Sequence, residues 1–314
     1  MIDKIKRSKE HWFEWFHVIY ASITIVAAFM TILGERSTVK EVTFLILFGI
    51  YFVILLIFQI FSTYTYSRTT RYAEAYNYLH EAIHLTRNAY HYLEHCYSPE
   101  QPQTHFDKEL FREYMISVLS AASAAFSLVT GVRCRTSIKI LGYKVLESHD
   151  KELFISTLAR DRVSMDRHGY RDRNEGSRHS VQYNDDFSFI MGNRAHYFFS
   201  NNLKKISNYF NTSIAHKVYD RQDWIMEDWC LPYVSTIVWP IRYLSRGDEY
   251  QENNQENNQT DQDIYYGFLT VDSAYKNVFN KQYDTEMGAA LADAIFSVLD
   301  MYDKVKKKME DEQN

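Results

Sequence analysis

Two apolar runs open the chain, and they condition the reading of everything that follows. Trp15–Gly34 and Val42–Ser67 contain no Lys, Arg, Asp or Glu, and the short polar loop Glu35–Glu41 separates them. In Val42–Phe61, 16 of 20 residues are Val, Ile, Leu or Phe. That run reaches the roughly 20 residues needed to cross a bilayer core of ~30 Å. At roughly −0.3 to −0.6 kcal/mol per large apolar residue, its insertion gains on the order of 5–10 kcal/mol. The first run is more mixed, with His17, Ser22, Thr24 and Thr31. The pattern predicts that the two insert together as a hairpin, with spans at about 15–34 and 42–63. His17, Ala21, Thr24, Ala28 and Thr31 fall on one helical line of small, weakly polar side chains. Such a line lets helices approach closely in lipid, either against the second span or against another copy.

No Gly or Pro occurs between Gly49 and Pro99. The second span is therefore predicted to run on, directly or after a short break, into a helix from about Thr69 to Cys96. Tyr72, Leu79, Ile83, Tyr90 and Leu93 share one face of its projection. The opposite flank holds His80, His84, Arg87, His91 and His95. The i, i+4 His spacing leaves three readings open: a metal clamp, a pH- or partner-sensitive surface, or an ordinary polar face. Ser98–Pro102 is a turn. A second helix follows from Asp107 to about Thr130, with Phe111, Met115, Leu119, Ala122 and Phe126 on its apolar stripe. The two helices are expected to form an antiparallel pair.

The periodicity then changes. Cys134–Tyr143 and Glu152–Ala159 read as strands, the first alternating Ile138 and Ile140 with Lys139. Arg160–Asp186 is polar, with Arg160, Arg162, Arg167, Arg171, Arg173 and Arg178 interleaved with four acids. It reads as a solvated loop, or as a phosphate-gripping one, since Arg forks pair well with phosphate oxygens. Phe187–Phe210 is predicted to be helical in part, with Asn201-Asn202 capping a helix that begins at Leu203. Tyr233–Tyr243 is a strand apolar on both faces, hence central, in which Pro240 demands a bulge, an edge or a strand end. Gly247–Asp263 is a low-complexity hairpin loop repeating Gln-Glu-Asn-Asn, and Tyr265–Ser273 is the partner strand. Thr285–Met309 closes as an amphipathic helix. Its Lys304, Lys306, Lys307 and Lys308 suit a helix C-terminus or an anionic lipid surface.

Charge orients the hairpin. Lys4, Lys6, Arg7 and Lys9 precede the first run and Arg68 and Arg71 follow the second, whereas the loop between them holds only Arg36 and Lys40. The positive-inside bias therefore places both termini in the cytoplasm, for a bacterial inner-membrane protein with its soluble part cytoplasmic. The basic start imitates a signal peptide, but a second span follows at once, so it is read as an anchor. The 314 residues carry a formal net charge of −5, which gives no basic field for direct nucleic-acid binding. Three cysteines, Cys96, Cys134 and Cys230, have no metal-site spacing and are expected to be free thiols. The chain divides into a transmembrane hairpin (1–66), a connector helix and turn (67–106), a sensor domain (107–309) and a tail (310–314).

The stretch from about Asp107 to Met301 resembles a GAF domain. The resemblance runs through the helix ending at Gly131, Ser137-Ile138-Lys139-Ile140, Phe198-Phe199-Ser200-Asn201-Asn202-Leu203 and Tyr233–Ile241. Its most specific pieces are Tyr266-Gly267-Phe268-Leu269-Thr270-Val271-Asp272-Ser273 and the closing helix with Leu291-Ala292-Asp293. It implies an α+β fold: an antiparallel sheet of five or six strands, the first and last helices on one face and a pocket on the other. The Asn-Lys-Phe-Asp-Glu signature of cyclic-nucleotide-binding members is missing, and no cysteine sits in a bilin-attachment context, so the resemblance names no cofactor. Phe189, Tyr197, Asn201, Trp224, Ser235 and Trp239 are the candidate pocket lining, because polar groups among aromatics suit a mostly apolar cleft. Arg160 and Arg162 join them if the ligand is anionic.

No phosphate-cradling Gly loop, His-Glu-x-x-His, Cys-x-x-Cys or Gly-x-Ser-x-Gly is present, so the sequence is read as non-enzymatic. The layout is similar to that of two-span bacterial phage-defence effectors, in which a soluble sensor triggers membrane disruption. Two classes follow. One is a sensing effector whose small-molecule or protein trigger alters packing of a self-associating hairpin. The other is a membrane-tethered scaffold or signalling subunit that recruits a cytoplasmic partner.

Overall fold

The structure, a computed structural model, describes residues 38–98, 106–145, 151–165, 179–211, 231–243 and 264–313. The first predicted span with His17, Ala21, Thr24, Ala28 and Thr31 lies outside the described residues, as do Trp224, Cys230, Arg167–Arg178 and the Gln-Glu-Asn-Asn repeat. Internal contacts divide the chain into two compact units, Met1–Ser67 and Arg68–Asn314.

The described part of the first unit belongs to helix α1, Thr38–Tyr97. Within it, Ile46–Thr63 has a mean hydropathy of 2.4 and no buried residue. Ile57, Phe58, Ile60 and Phe61 are each more than 60 % exposed. By length and composition this stretch is apolar enough to cross a membrane. A second helix, α2 (Lys108–Thr130), is also long and apolar enough to cross a membrane. Its apolar stripe is instead core, with Phe111, Met115, Leu119, Ala122 and Phe126 fully buried.

Local chemistry sets the ends of α2. Asp107 caps it from an extended conformation, its Oδ1 accepting from the N–H groups of Glu109 and Leu110 at 2.8 and 3.1 Å. Gly131 ends it in the left-handed region at φ 72°, donating its N–H to Ser127 O. A Cβ at that glycine would lie 3.0 Å from the Arg71 guanidinium. The Tyr92 hydroxyl accepts from the Asp107 N–H at 2.7 Å, joining the end of α1 to the start of α2. Near the other end of α2, Ala75 packs with Ala125 and Val129, so the pair is antiparallel as expected.

The predicted face of α1 does meet the core, with Leu93 fully buried and Tyr72, Leu79 and Tyr90 packed against it, but the centre of the buried stripe lies to one side. Ala75, Ala82, Ala89 and Leu93 are fully buried, while Ile83 is exposed. Close helix approach selects small side chains, and a projection weighted by side-chain hydrophobicity passes over alanine.

Among the described residues the sheet has six antiparallel strands: β1 (Cys134–Val145), β2 (Lys151–Arg160), β3 (His179–Ser180), β4 (Phe198–Ser200), β5 (Ser235–Tyr243) and β6 (Ile264–Ser273). Their order is β3-β2-β1-β6-β5-β4. Pro240 is tolerated for two local reasons. Pairing between β4 and β5 ends at Val238, so Pro240 faces a vacated edge, and a bulge follows at Ile241/Arg242. Gly267 is obligatory, because a Cβ there would lie 1.9 Å from Lys139 O on the neighbouring strand.

One face of the sheet meets helices. Ile138, Ile237, Trp239, Ile241, Leu269 and Val271 pack against α1, α2 and the last helix, α4 (Tyr283–Gln313). Trp239 is 1 % exposed, donates Nε1–H to Thr285 O at 2.9 Å, and fits because residue 288 is Gly. The other face meets α3 (Asp185–Asn193) through Ile155, Phe187, Ile190, Val238 and Phe268. The segment predicted as partly helical thus splits into α3 and strand β4. Asn202 precedes only a 3-10 turn, Leu203–Lys205, and makes no side-chain cap.

Candidate functional site

Strand alternation puts polar residues where the helical core ends. In β1, Ile138 points into that core, so Ser137 and Lys139 point to the face covered by α3. The register sets Arg135 opposite Asp272, Ser137 opposite Thr270, and Lys139 opposite Phe268. On the other side of β1, Ser137 faces Arg160 and Lys139 faces Thr157. On the far side of β6, Thr236 faces Asp272. Directly paired residues share a face. The result is a polar surface of Arg135, Ser137, Lys139, Thr157, Arg160, Thr236, Thr270 and Asp272 beside the apolar patch under α3.

The hydrogen bonds within this surface are short. Lys139 Nζ donates to Thr157 Oγ1 at 2.5 Å, and Arg160 Nη2 approaches the same oxygen at 3.4 Å. Ser137 and Thr270 hydroxyls bond at 2.7 Å. Thr236 donates to Asp272 Oδ1 at 2.6 Å. Above the sheet, Asp186 of α3 is buried and accepts from the Phe187 N–H at 2.9 Å and from the Tyr209 hydroxyl at 3.2 Å. Ser137, Thr157, Tyr209 and Thr270 are buried as well.

Burial dominates the electrostatics here. Desolvation raises the Asp186 pKa to about 7, and the charge of Asp272 adds to the rise, against the stabilising Phe187 N–H and Tyr209 hydroxyl. Asp272 is raised to about 6, again by desolvation, although the Thr236 hydroxyl and the charges of Lys139, Arg160 and Arg135 oppose it. Desolvation and the two carboxylates also push the Tyr209 and Tyr233 phenols well above their ordinary value. Chemically, the cluster offers cations, hydroxyls, phenols and two carboxylates that change charge near neutral pH. Such a mixture suits binding of a small polar molecule, with an affinity that depends on pH.

The residues predicted from sequence are dispersed around this cluster. Of the seven that lie among the described residues, Arg160 alone is on the polar face. Arg162 is in an exposed turn, ion-paired with Glu113 at 2.8 Å. Trp239 is in the helical core, and Tyr197 packs against the same core. Asn201 and Ser235 do come together, as a strut. The Asn201 amide donates to Phe279 O and accepts from Phe279 N, and Ser235 Oγ lies 2.8 Å from Asn201 O and 2.7 Å from Tyr275 O. Phe189 is on the exposed side of α3, edge-on to Phe198 at 5.8 Å.

Sequence reasoning missed Lys139, Asp186, Tyr209, Tyr233 and Asp272. The signal was present for the sheet residues: Arg135, Ser137 and Lys139 in one strand and Thr270 and Asp272 in another recur with period 2. That pattern reads as a solvent-facing side until α3 is known to cover it.

The other candidate chemistry has local explanations. His80 and His84 Nε2 atoms are 2.9 Å apart, and Arg87 approaches His84 Nδ1 at 2.7 Å. Among the described residues, no three or more His, Cys, Asp or Glu are placed to hold a metal ion. Burial raises the Cys134 thiol to about 12 and also raises Cys96, so neither is a thiolate nucleophile at neutral pH.

No protein-family model matches the sequence, and no curated protein matches it. Solved structures of similar shape include type II free methionine-R-sulfoxide reductase from Thermoplasma acidophilum, at 14% identity and a TM-score of 0.35, covering 61% of this chain and 94% of that one. The GAF domain of Acinetobacter phosphoenolpyruvate-protein phosphotransferase is 13% identical with a TM-score of 0.34, covering 62% and 86%. The reduced form of the Staphylococcus aureus reductase is 12% identical with a TM-score of 0.31, covering 69% and 94%. Scores this low assign this chain neither ligand nor activity, and its architecture stands on the sheet order and helix placement above.

Proposed function

We propose that this chain is a membrane-anchored, non-catalytic sensor of GAF-like architecture. In this reading the polar face of the sheet binds a small molecule, and occupancy alters packing of the N-terminal hairpin. The anchor places both termini and the sensor on the cytoplasmic side of a bacterial inner membrane, and the hairpin self-associates through His17, Ala21, Thr24, Ala28 and Thr31. Membrane disruption, as in two-span phage-defence effectors, is the proposed output.

The observation that carries the reading is the cluster of Lys139, Arg160, Asp186 and Asp272. Asp186 is buried and the other three are half-buried; desolvating ionisable groups is expensive, and such clusters concentrate where a protein binds or switches. The exposed apolar stretch Ile46–Thr63 supports the anchor.

Liposomes loaded with dye and reconstituted with the full chain test the reading. Release that stops on replacing Ala21 and Ala28 with bulky residues supports the effector. A full chain that resists alkaline extraction, leaves vesicles intact and holds a soluble partner stoichiometrically is instead the tethered scaffold. A chain extracted by alkali without detergent refutes both.

A further inference from the structure

We infer that His80 and His84 form a two-imidazole chelate for a divalent transition-metal ion that takes its ligands at right angles, such as Cu²⁺ or Ni²⁺. The site lies on the exposed side of α1 and does not depend on the polar face of the sheet.

Helix geometry brings the pair together. Residues four apart on a helix project from the same side, one turn above the other. His80 and His84 are both exposed, with Nε2 atoms 2.9 Å apart and ring centroids 4.3 Å apart. Tyr76, one turn earlier, stacks on His80 with ring centroids 6.1 Å apart and planes 17° from parallel, which limits how far that imidazole turns away. Imidazole nitrogens bind first-row divalent ions at about 2.0–2.1 Å, so two of them at a right angle stand about 2.9 Å apart, and two at the tetrahedral angle about 3.3 Å apart. The observed separation is the right-angle one. That angle belongs to square-planar, tetragonal and octahedral coordination, which Cu²⁺ and Ni²⁺ adopt, and not to tetrahedral Zn²⁺ sites. Because α1 is helical through both residues, chelation needs no backbone change. Among the described residues no third His, Cys, Asp or Glu completes a metal-binding group, so the remaining coordination positions fall to water.

The contacts the pair already makes fix where its protons are. Arg87 can only donate, and its Nη2 lies 2.7 Å from His84 Nδ1, so that nitrogen accepts. A neutral His84 then carries its proton on Nε2 and donates it to His80 Nε2. An entering metal ion takes the place of that shared proton. The His84 proton moves to Nδ1, both Nε2 lone pairs turn to the ion, and the Arg87 guanidinium leaves Nδ1 for solvent. No proton is gained or lost overall. Arg87 opposes the ion twice, by holding the other tautomer and by its charge. An acceptor at position 87 would favour it, since metal-bound imidazoles are held by an acceptor on their other nitrogen.

The test is titration of the full chain in detergent with Cu²⁺, read by electron paramagnetic resonance, and with Ni²⁺ and Zn²⁺, read by calorimetry. The expected Cu²⁺ spectrum is tetragonal, with hyperfine splitting from two nitrogens. His80→Gln and His84→Gln each remove that splitting and weaken Cu²⁺ and Ni²⁺ binding about tenfold or more. Arg87→Gln tightens binding several-fold, a gain that loss of packing does not produce. His91→Gln is the control and leaves binding unchanged, because His91 is engaged by Glu94 at 3.1 Å. All four positions are exposed, and the melting temperature without metal checks that each variant is folded. A two-nitrogen spectrum that survives both His80→Gln and His84→Gln places the ion elsewhere and overturns the assignment. So does the absence of any saturable Cu²⁺ or Ni²⁺ binding, or Zn²⁺ binding more tightly than Ni²⁺.

Discussion

Asp186→Asn changes one oxygen to an amide nitrogen in the buried cluster and removes a titrating group. The folded protein holds the Asp186 proton up to about pH 7, whereas an exposed aspartate releases it near 3.8. Between about pH 4 and 7 the folded state therefore binds more protons than the unfolded chain, and stability falls as pH rises through that window. Asp272, raised to about 6, contributes with the same sign over the lower part of the window. At about 1.36 kcal/mol per pH unit, the Asp186 displacement corresponds to about 4 kcal/mol, fully lost at pH 8. Asparagine retains a carbonyl that can accept from the Tyr209 hydroxyl or the Phe187 N–H, which replace part of the native bonding. Asp186→Asn is thus expected to stabilise the protein by about 2–4 kcal/mol at pH 8 and by nearly nothing at pH 4. At roughly 2–4 °C per kcal/mol for a domain of this size, the melting temperature rises by about 5–15 °C at pH 8. The assay is thermal unfolding of the full chain in detergent from pH 4 to 8, for wild type and variant. A variant less stable at pH 8, or a gain equal at both ends of the range, would refute the reasoning.

Gly288→Ala drives a methyl group into the Trp239 indole, whose nearest atom would be 2.1 Å away. Overpacking of this kind costs about 1–3 kcal/mol or more, read as a lower melting temperature. Asn201→Ala removes both hydrogen bonds to the Phe279 backbone. It should cost about 1–3 kcal/mol of stability, read as a lower melting temperature. Phe52→Arg with Ile57→Arg places two charges in Ile46–Thr63 at about 2.5–3.5 kcal/mol each, and the double variant should become extractable by alkaline carbonate.

Elements with strong local signals were legible from sequence. Asp107 and Gly131 marked both ends of α2, and the alternation of Ile138 with Lys139 marked β1 and its two faces. The run Tyr265–Ser273 matched β6 within one residue. Features set by tertiary context were not legible. The alanine stripe of α1 carries weak hydrophobic signal and is buried only because α2 fits against it. Strand β4 has three residues and exists only by pairing with β5. The polar face was hidden for a related reason. Lys139, Thr270 and Asp272 alternate in the way of a solvated surface, and only the chain reversal that brings Asp186 of α3 and Tyr209 beside them makes it a partly buried cluster. Trp239 and Tyr197 attracted attention as aromatics near polar residues, yet the period-2 geometry sends Trp239 to the helical side.

The central claim is that occupancy of the polar face alters packing of the membrane hairpin. Its most direct test compares dye release from liposomes holding the full chain as wild type, as Asp272→Asn and as Lys139→Gln, each confirmed folded by its melting temperature. The account predicts release displaced from wild type by both substitutions. Three indistinguishable release curves from three folded proteins would contradict it.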